Sequence, residues 1–228
     1  LGDQWLTHER TATVRVRGVE VPYPFQHHLD ALPEPERAWA LATLASATRQ
    51  PADDSFASWS IATFGEGICS LFLTPYNRKV WQHPLEDMST AWMGERVARP
   101  RHAGGEASRA PGGWGPNATF RYPDRGGTGA IWEGVARLVP QARLRFGAQV
   151  IAVDAGARVV SLATGERVLY DTLISTLPLD VLVSSLGSLP AGARAAAADR
   201  VPNTVELVGS GVGAPPSPGM RRRTWMYY

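Results

Sequence analysis

The chain has 228 residues, 44% of them hydrophobic and 19% charged, with a formal net charge of +2. That supplies enough apolar material for a sizeable core and makes a globular rather than a disordered chain the default reading, while so small a charge gives no footing on nucleic acid. A single cysteine, Cys69, excludes an intramolecular disulfide or a cysteine metal cluster and fits a reducing, cytoplasmic setting. Residues 12–21 alternate apolar and polar side chains, which predicts a half-buried strand or hairpin bent at Gly18, and they lead directly into YPFQ. After two prolines an Ala-rich helix is expected over 34–48, then a second over 54–64 capped by Asp53 or Asp54, with Gly65 and Gly67 breaking the pattern. Shorter helices are expected over 71–80 and 88–98, separated by His83-Pro84. Residues 99–115, rich in Gly, Pro, Ala and Arg, read as an exposed loop.

Helical periodicity returns after Gly129, with Ile131, Val135 and Leu138 on one face and Pro140 as the stop. A small β-meander is predicted from 144–153, 158–162 and 167–169, followed by a buried strand at 173–176. Helices over 179–186 and 191–199 then precede strands at 204–209 and 223–228. No stretch approaches the roughly 18 to 20 apolar residues that a membrane span requires, and no leader peptide opens the chain, so no membrane partner is expected. The chain starts at Leu1 and stops inside WMYY, which reads as an internal piece of a longer protein.

Three features bear on chemistry. In RGGTGAIW, residues 125–132, three glycines lead into a helix, where free backbone N–H groups and the helix dipole favour an anion such as a pyrophosphate. Such a junction needs glycine for steric reasons as well. The later GSGVGA, residues 209–214, imitates a dinucleotide fingerprint, but its spacing is wrong and Pro215, Pro216 and Pro218 follow, so no helix is expected to start cleanly there. Third, residues 71–97 combine Phe72 and Trp81, the amide of Asn77 and the guanidinium of Arg96, the set required to hold a flat ring joined to an anion. By composition alone the two aromatics read equally as core, and Arg96 as a surface ion pair with Glu95 or Glu86 worth at most about 1 kcal/mol. The five histidines show no metal-ligand spacing, and Cys69 reads as a small buried apolar residue.

Taken in order, VPYPFQ at 21–26, the segment 71–97 and GGWGPNATFRYPDRGGTGAIW at 112–132 resemble the flavin-dependent UDP-galactopyranose mutases, nearer the eukaryotic-type branch, over nearly the whole chain. His27-His28 departs from that pattern, which tends to asparagine there. The resemblance implies an α/β fold: part of a Rossmann-like FAD-binding flavoprotein with a helical substrate-binding insert and a mixed β-sheet. It divides the chain into substrate-side strands (1–29), a mainly helical insert (30–110), part of the FAD domain (111–200) and returning strands (201–228). It also implies that Tyr23, Gln26, Phe72, Asn77 and Trp81 contact the nucleotide or sugar and that Arg96 binds the pyrophosphate. Asn117, Trp225 and Tyr227 would line the sugar side, and Arg10, Gly127, Thr128, Gly129 and Val150 would lie near FAD.

The implied reaction is the redox-neutral interconversion of UDP-galactopyranose and UDP-galactofuranose, with N5 of reduced FAD as nucleophile. Its partners would be a UDP-sugar, a flavin reductant such as NAD(P)H and a further copy of the chain in a homo-oligomer. Two other classes remain open. An FAD-dependent oxidase of the amine or protoporphyrinogen oxidase type would share the flavin elements without needing Tyr23, Asn77, Trp81 and Arg96 together. A non-catalytic, truncated nucleotide-sugar-binding module would fit the missing ends.

Overall fold

The computed structural model describes residues 4–94, 97–100, 118–211 and 213–228. The chain is mixed α/β and divides into two compact units, Leu1–Ile131 with Leu207–Tyr228, and Trp132–Glu206.

In the first unit, strands β2 (Ala12–Val16) and β3 (Val19–Pro22) form the predicted hairpin, pairing Val14 with Val21 and Val16 with Val19. Its two connecting residues, Arg17 and Gly18, take φ of 49° and 81°. Positive φ at both positions is the geometry that follows the right-handed twist of paired strands. On the other side of β2 lies β8 (Trp225–Tyr227), parallel to it, so that Ala12 faces Trp225 and Val14 faces Tyr227. Thr224 fixes this register: its hydroxyl accepts from the Thr11 N–H at 3.0 Å and donates to the Thr11 carbonyl at 2.9 Å. Strands β1 (Trp5–Glu9) and β4 (Thr119–Pro123) form a separate antiparallel ribbon. Their alternation is weak, since most of their side chains are exposed, and nothing in the local pattern announces them.

The helical half of this unit holds α1 (Glu34–Ala45), α2 (Phe56–Ile68), a single π-helical turn (Cys69–Leu73) and α3 (Thr74–Trp81). The N-cap of α2 is Ser55 rather than either aspartate. The Ser55 hydroxyl accepts from the Ser58 N–H at 3.1 Å, while Asp53 is drawn back onto the Ser55 N–H at 2.9 Å. Gly65 and Gly67 kink α2 without ending it: Gly65 alone leaves helical geometry, at φ 76° and ψ 165°. Both glycines lie against α1. A Cβ on Gly65 would stand 2.4 Å from the Thr43 carbonyl carbon, and one on Gly67 would stand 2.7 Å from the α carbon of Ala40.

The run Phe56–Trp81 is 26 residues of helix, long and apolar enough by composition to cross a membrane, which corrects the expectation that no such stretch exists. Its most apolar window is 67% buried inside the chain, where Phe64, Ile68 and Phe72 join Val21, Phe25 and Leu29 in the main core. The helix expected over 88–98 does not form among its described residues. The Met88 carbonyl instead accepts from the Phe56 N–H at 2.7 Å, and Ser89 bridges to Ser55, so the segment is tied crosswise to the start of α2.

The boundary between the units falls within α4 (Gly129–Ala136). The apolar face predicted there is not buried: Val135 is 49% and Leu138 85% exposed, and the helix ends before Leu138. The second unit is a three-stranded antiparallel meander, β5 (Val150–Asp154), β6 (Val159–Leu162) and β7 (Arg167–Leu169), followed by α5 (Leu179–Ser185) and α6 (Ala193–Ala198). Its small core is Val153, Val160 and Leu162. Strand β5 starts only at Val150, because residues 144–149 turn through Gly147 at φ 68°. Neither 173–176 nor 204–209 forms a strand. Ile174 is 86% and Leu207 90% exposed, and among the described residues no neighbouring strand is placed to pair with either segment. A five-residue helix, α7 (Pro218–Arg222), does start after the proline run, because Ser217 caps it and proline suits the first helical position.

Gly65→Ala should lower stability by about 3 kcal/mol, from a non-glycine residue at positive φ and a backbone clash with Thr43. A shift of the urea midpoint, compared with Gly147→Ala, where a Cβ meets nothing within 4 Å, checks whether the clash or the φ alone is responsible.

Candidate functional site

The cis Tyr23–Pro24 bond and the short 3-10 turn Phe25–His27 deliver YPFQ from the end of β3 to the flank of α3. Between them lies a cleft of about 200 Å³, bordered by Tyr23, Gln26, Phe72, Tyr76, Asn77, Val80, Trp81, Trp92, Val97 and Ala98. Five residues singled out in the sequence, Tyr23, Gln26, Phe72, Asn77 and Trp81, therefore share one cavity. The π-helical turn matters here, because its extra residue per turn sets the register in which Phe72 and Asn77 follow α2.

The walls are aromatic. Phe72 packs on Phe25 with ring centroids 5.0 Å apart and stacks on Tyr76 at 5.1 Å, and Trp81 meets Trp92 edge-on at 4.8 Å. Asn77 is buried, its amide donating to the Leu73 carbonyl at 2.8 Å and its oxygen accepting from the Trp81 indole N–H at 3.1 Å. It thereby fixes the Trp81 ring. Gln26 donates to the Ala98 carbonyl, and a ring nitrogen of His27 lies 2.8 Å from the Arg99 carbonyl. These contacts pin the chain just past residue 96 to the YPFQ turn.

From the other side, the parallel register of β8 places Tyr227 against Tyr23 at 5.2 Å and edge-on to Tyr76 at 5.1 Å. Trp225 donates its indole N–H to the Tyr227 hydroxyl at 2.8 Å. Arg10 is buried with its guanidinium over both the Tyr23 ring (5.2 Å) and the Trp225 ring (5.8 Å), a desolvated cation–π arrangement. Burial raises the phenol of Tyr76 to about 12, with help from Tyr227 and Tyr23. It also raises Tyr23 and Tyr227, against which Arg10 acts in the opposite sense. All three stay neutral hydrogen-bonding groups across the physiological range. Cys69 beneath them is inert for the same reason, its thiol raised to about 12 by burial and by Glu66.

Arg96 and Asn117 lie outside the described residues. Gly127, Thr128 and Gly129 stand at the start of α4 in the first unit, whereas Val150 lies in the second, on the edge strand β5. The sequence reading missed Leu73, Tyr76, Val80, Trp92, Val97 and Ala98 as lining residues. Tyr76 had a signal, being four residues after Phe72 and so on the same helix face. Trp92 had none, since its segment read as a separate helix.

A family model described as flavin containing amine oxidoreductase matches residues 11–208. The chain belongs to that family of flavoproteins, and FAD is the cofactor this implies. Among solved structures it is similar to one described as reduced UDP-galactopyranose mutase, at 38% identity and a TM-score of 0.79, over 87% of this chain and 46% of that one. The chain thus spans about half the length of that protein.

The glycine run fits such a cofactor. Gly126 and Gly127 take φ of 79° and 60°, and a Cβ built at Gly127 or Gly129 meets nothing within 4 Å, so the backbone at the start of α4 is open to close approach by a phosphate. The donor set of Gly127, Thr128 and Gly129 suits a pyrophosphate and offers no competing anion.

The raised phenols make stability depend on pH in one direction. Each is raised above the unfolded value near 10, so their contribution is complete below pH 10 and is lost as pH rises above it, for Tyr76 over the range from 10 to about 12. Urea unfolding at pH 9, 10.5 and 11.5 should show a stability that is lower at pH 10.5 than at pH 9 and lower again at pH 11.5, with a shallower fall in Tyr76→Phe.

Proposed function

We propose that the full-length protein containing this chain interconverts UDP-galactopyranose and UDP-galactofuranose without net oxidation. The observation that carries this reading is the aromatic cleft that unites Tyr23, Gln26, Phe72, Asn77 and Trp81, because a flavin oxidase acting on an amine has no need of a nucleotide-sized slot with amide groups in its wall. The likeness to a UDP-galactopyranose mutase supports it.

On this reading residues 30–110 form the substrate-binding insert. The base lies between the aromatic walls of the cleft, with Asn77 acting through Trp81, whose ring it holds. Arg96 neutralises the diphosphate, and Tyr23 and Tyr227 face the sugar with neutral phenols that hydrogen-bond hydroxyls without titrating, Trp225 lining the same side and holding the Tyr227 hydroxyl with its indole N–H. Asn117 belongs to the same sugar side. Gly127, Thr128 and Gly129, with Arg10 in the same unit, would hold part of FAD, which in its reduced form would supply the nucleophile that the reaction requires. Retaining UDP beside the sugar matters as much as the nucleophile, because return of the leaving group must outpace its loss to water.

The full-length protein, reduced with dithionite and given UDP-galactofuranose, should form UDP-galactopyranose by chromatography, and the oxidised protein should not. A flavin-bound protein that neither converts the sugar nor binds UDP would move the assignment to an amine-oxidase-type oxidoreductase, the class that shares the glycine run. Arg96→Ala should weaken UDP binding by roughly tenfold to a hundredfold while flavin content stays unchanged.

A further inference from the structure

Two side chains of one short turn hold successive carbonyls of a segment 72 residues further along. The Gln26 amide donates to the Ala98 carbonyl, and Nε2 of His27 lies 2.8 Å from the Arg99 carbonyl. A carbonyl can only accept, so His27 Nε2 carries the proton in this contact. The turn that presents both side chains is itself firmly held. The His27 N–H donates to the Pro24 carbonyl at 3.0 Å and the His28 N–H to the Phe25 carbonyl at 3.1 Å, while Phe25 is fully buried against Phe72.

The held stretch, residues 97–99, is bonded directly to Arg96. Val97 packs against both hydrophobic clusters of this unit and Ala98 is buried, but packing of that kind has no direction, and Arg99 is exposed. One hydrogen bond would leave the stretch free to swivel about it; two, on successive carbonyls, fix its direction. The bond from Gln26 belongs to the cleft wall, whereas His27 does not line the cleft and has no part in the function proposed above. His27 is also where the chain departs from the asparagine of the pattern it resembles. The imidazole Nε2, like the amide nitrogen of a glutamine, stands one bond further from the backbone than an asparagine amide, which gives this position its reach to the Arg99 carbonyl.

We infer that His27 is a positioning residue for the diphosphate end of the ligand: by holding the Arg99 carbonyl it orders the stretch that follows Arg96, and so lowers the cost of bringing the Arg96 guanidinium onto a diphosphate. This rests on the UDP-sugar reading above, in which Arg96 meets that group. His27 itself touches no ligand. Without its N–H the chain after Arg96 samples more arrangements in the free protein, and binding must then order it. The loss of one net hydrogen bond corresponds to about threefold to tenfold in affinity, and it falls only on ligands that carry the diphosphate.

Calorimetric titration of the full-length flavoprotein with UDP and with uridine tests this, in the parent, His27→Leu, His27→Gln, Arg96→Ala and the double variant His27→Leu/Arg96→Ala. His27→Leu should weaken UDP by about threefold to tenfold with uridine unchanged, and His27→Gln, which keeps a donor at the same reach, should restore parental UDP affinity. In the Arg96→Ala background His27→Leu should cost nothing further. That arm separates positioning from a direct attraction between an imidazolium and phosphate, which would persist without Arg96 and would not be restored by a neutral glutamine. Equal losses for UDP and uridine, parental UDP affinity in a folded His27→Leu, or additive losses in the double variant overturn the inference and leave the UDP-sugar reading standing. Where uridine binds too weakly to titrate, the double variant decides. A parental urea midpoint and flavin content show that His27→Leu is folded; if it is not, His27→Ser takes its place, and if neither folds His27 serves the fold and the inference falls. A flavin-loaded parent that binds neither UDP nor uridine sinks both readings together.

Discussion

The helical half of the first unit is built around a restriction at one α carbon. Any side chain on Gly65 would stand 2.4 Å from the backbone of Thr43, and Gly67 meets Ala40 almost as closely, so α1 and α2 cross at backbone contact. The Gly67 N–H even donates to the Thr43 hydroxyl at 2.9 Å. Close approach on this scale is available only to glycine, and its energetic return is dense packing around Phe64 and Ile68. The kink at Gly65 and the π-helical turn after it redirect the chain, and α3 inherits its placement from both. The cleft wall formed by Phe72, Tyr76, Asn77 and Trp81 is thus set two helical segments away from its own residues.

The second determinant is the parallel pairing of β2 with β8. It joins residues more than 200 positions apart, through the reciprocal bonds of Thr11 and Thr224. Its result is a continuous run of rings from Trp225 through Tyr227 to Tyr76 and Phe72, with Arg10 inserted against Tyr23. An aromatic environment of this kind keeps phenols protonated and holds indole and amide dipoles in fixed directions. A site so organised loses little reorganisation energy when a planar ligand enters.

Much of this was legible residue by residue. The alternation of 12–21 gave the hairpin, since a strand with one buried face must alternate, and the Ala-rich stretch after two prolines gave α1. Three segments misled. The Met88 region is helix-favouring by composition yet is tied across to Phe56, and residues 173–176 and 204–209 are apolar yet form no strand among the described residues. Apolar runs state a preference for burial and say nothing of which partner supplies it. Local hydrogen bonding misled at Asp53 as well, which caps the turn before the helix rather than the helix itself.

By itself the sequence determined the kinds of groups present and their order: two amides, a set of aromatic rings and a glycine run opening a helix, in an order that resembles the flavin-dependent UDP-galactopyranose mutases. Those follow from covalent order and short-range propensity, which a linear string contains in full. Only the tertiary structure decided that Asn77 is engaged with Leu73 and Trp81 while Gln26 Oε1 and Trp92 Nε1 are buried with no partner among the described residues. It also decided that β8 returns Trp225 and Tyr227 to the hairpin that carries Tyr23. The reason is physical: whether a polar atom is satisfied depends on everything within about 3 Å of it, and in a folded chain those neighbours come from sequence positions that no local pattern connects.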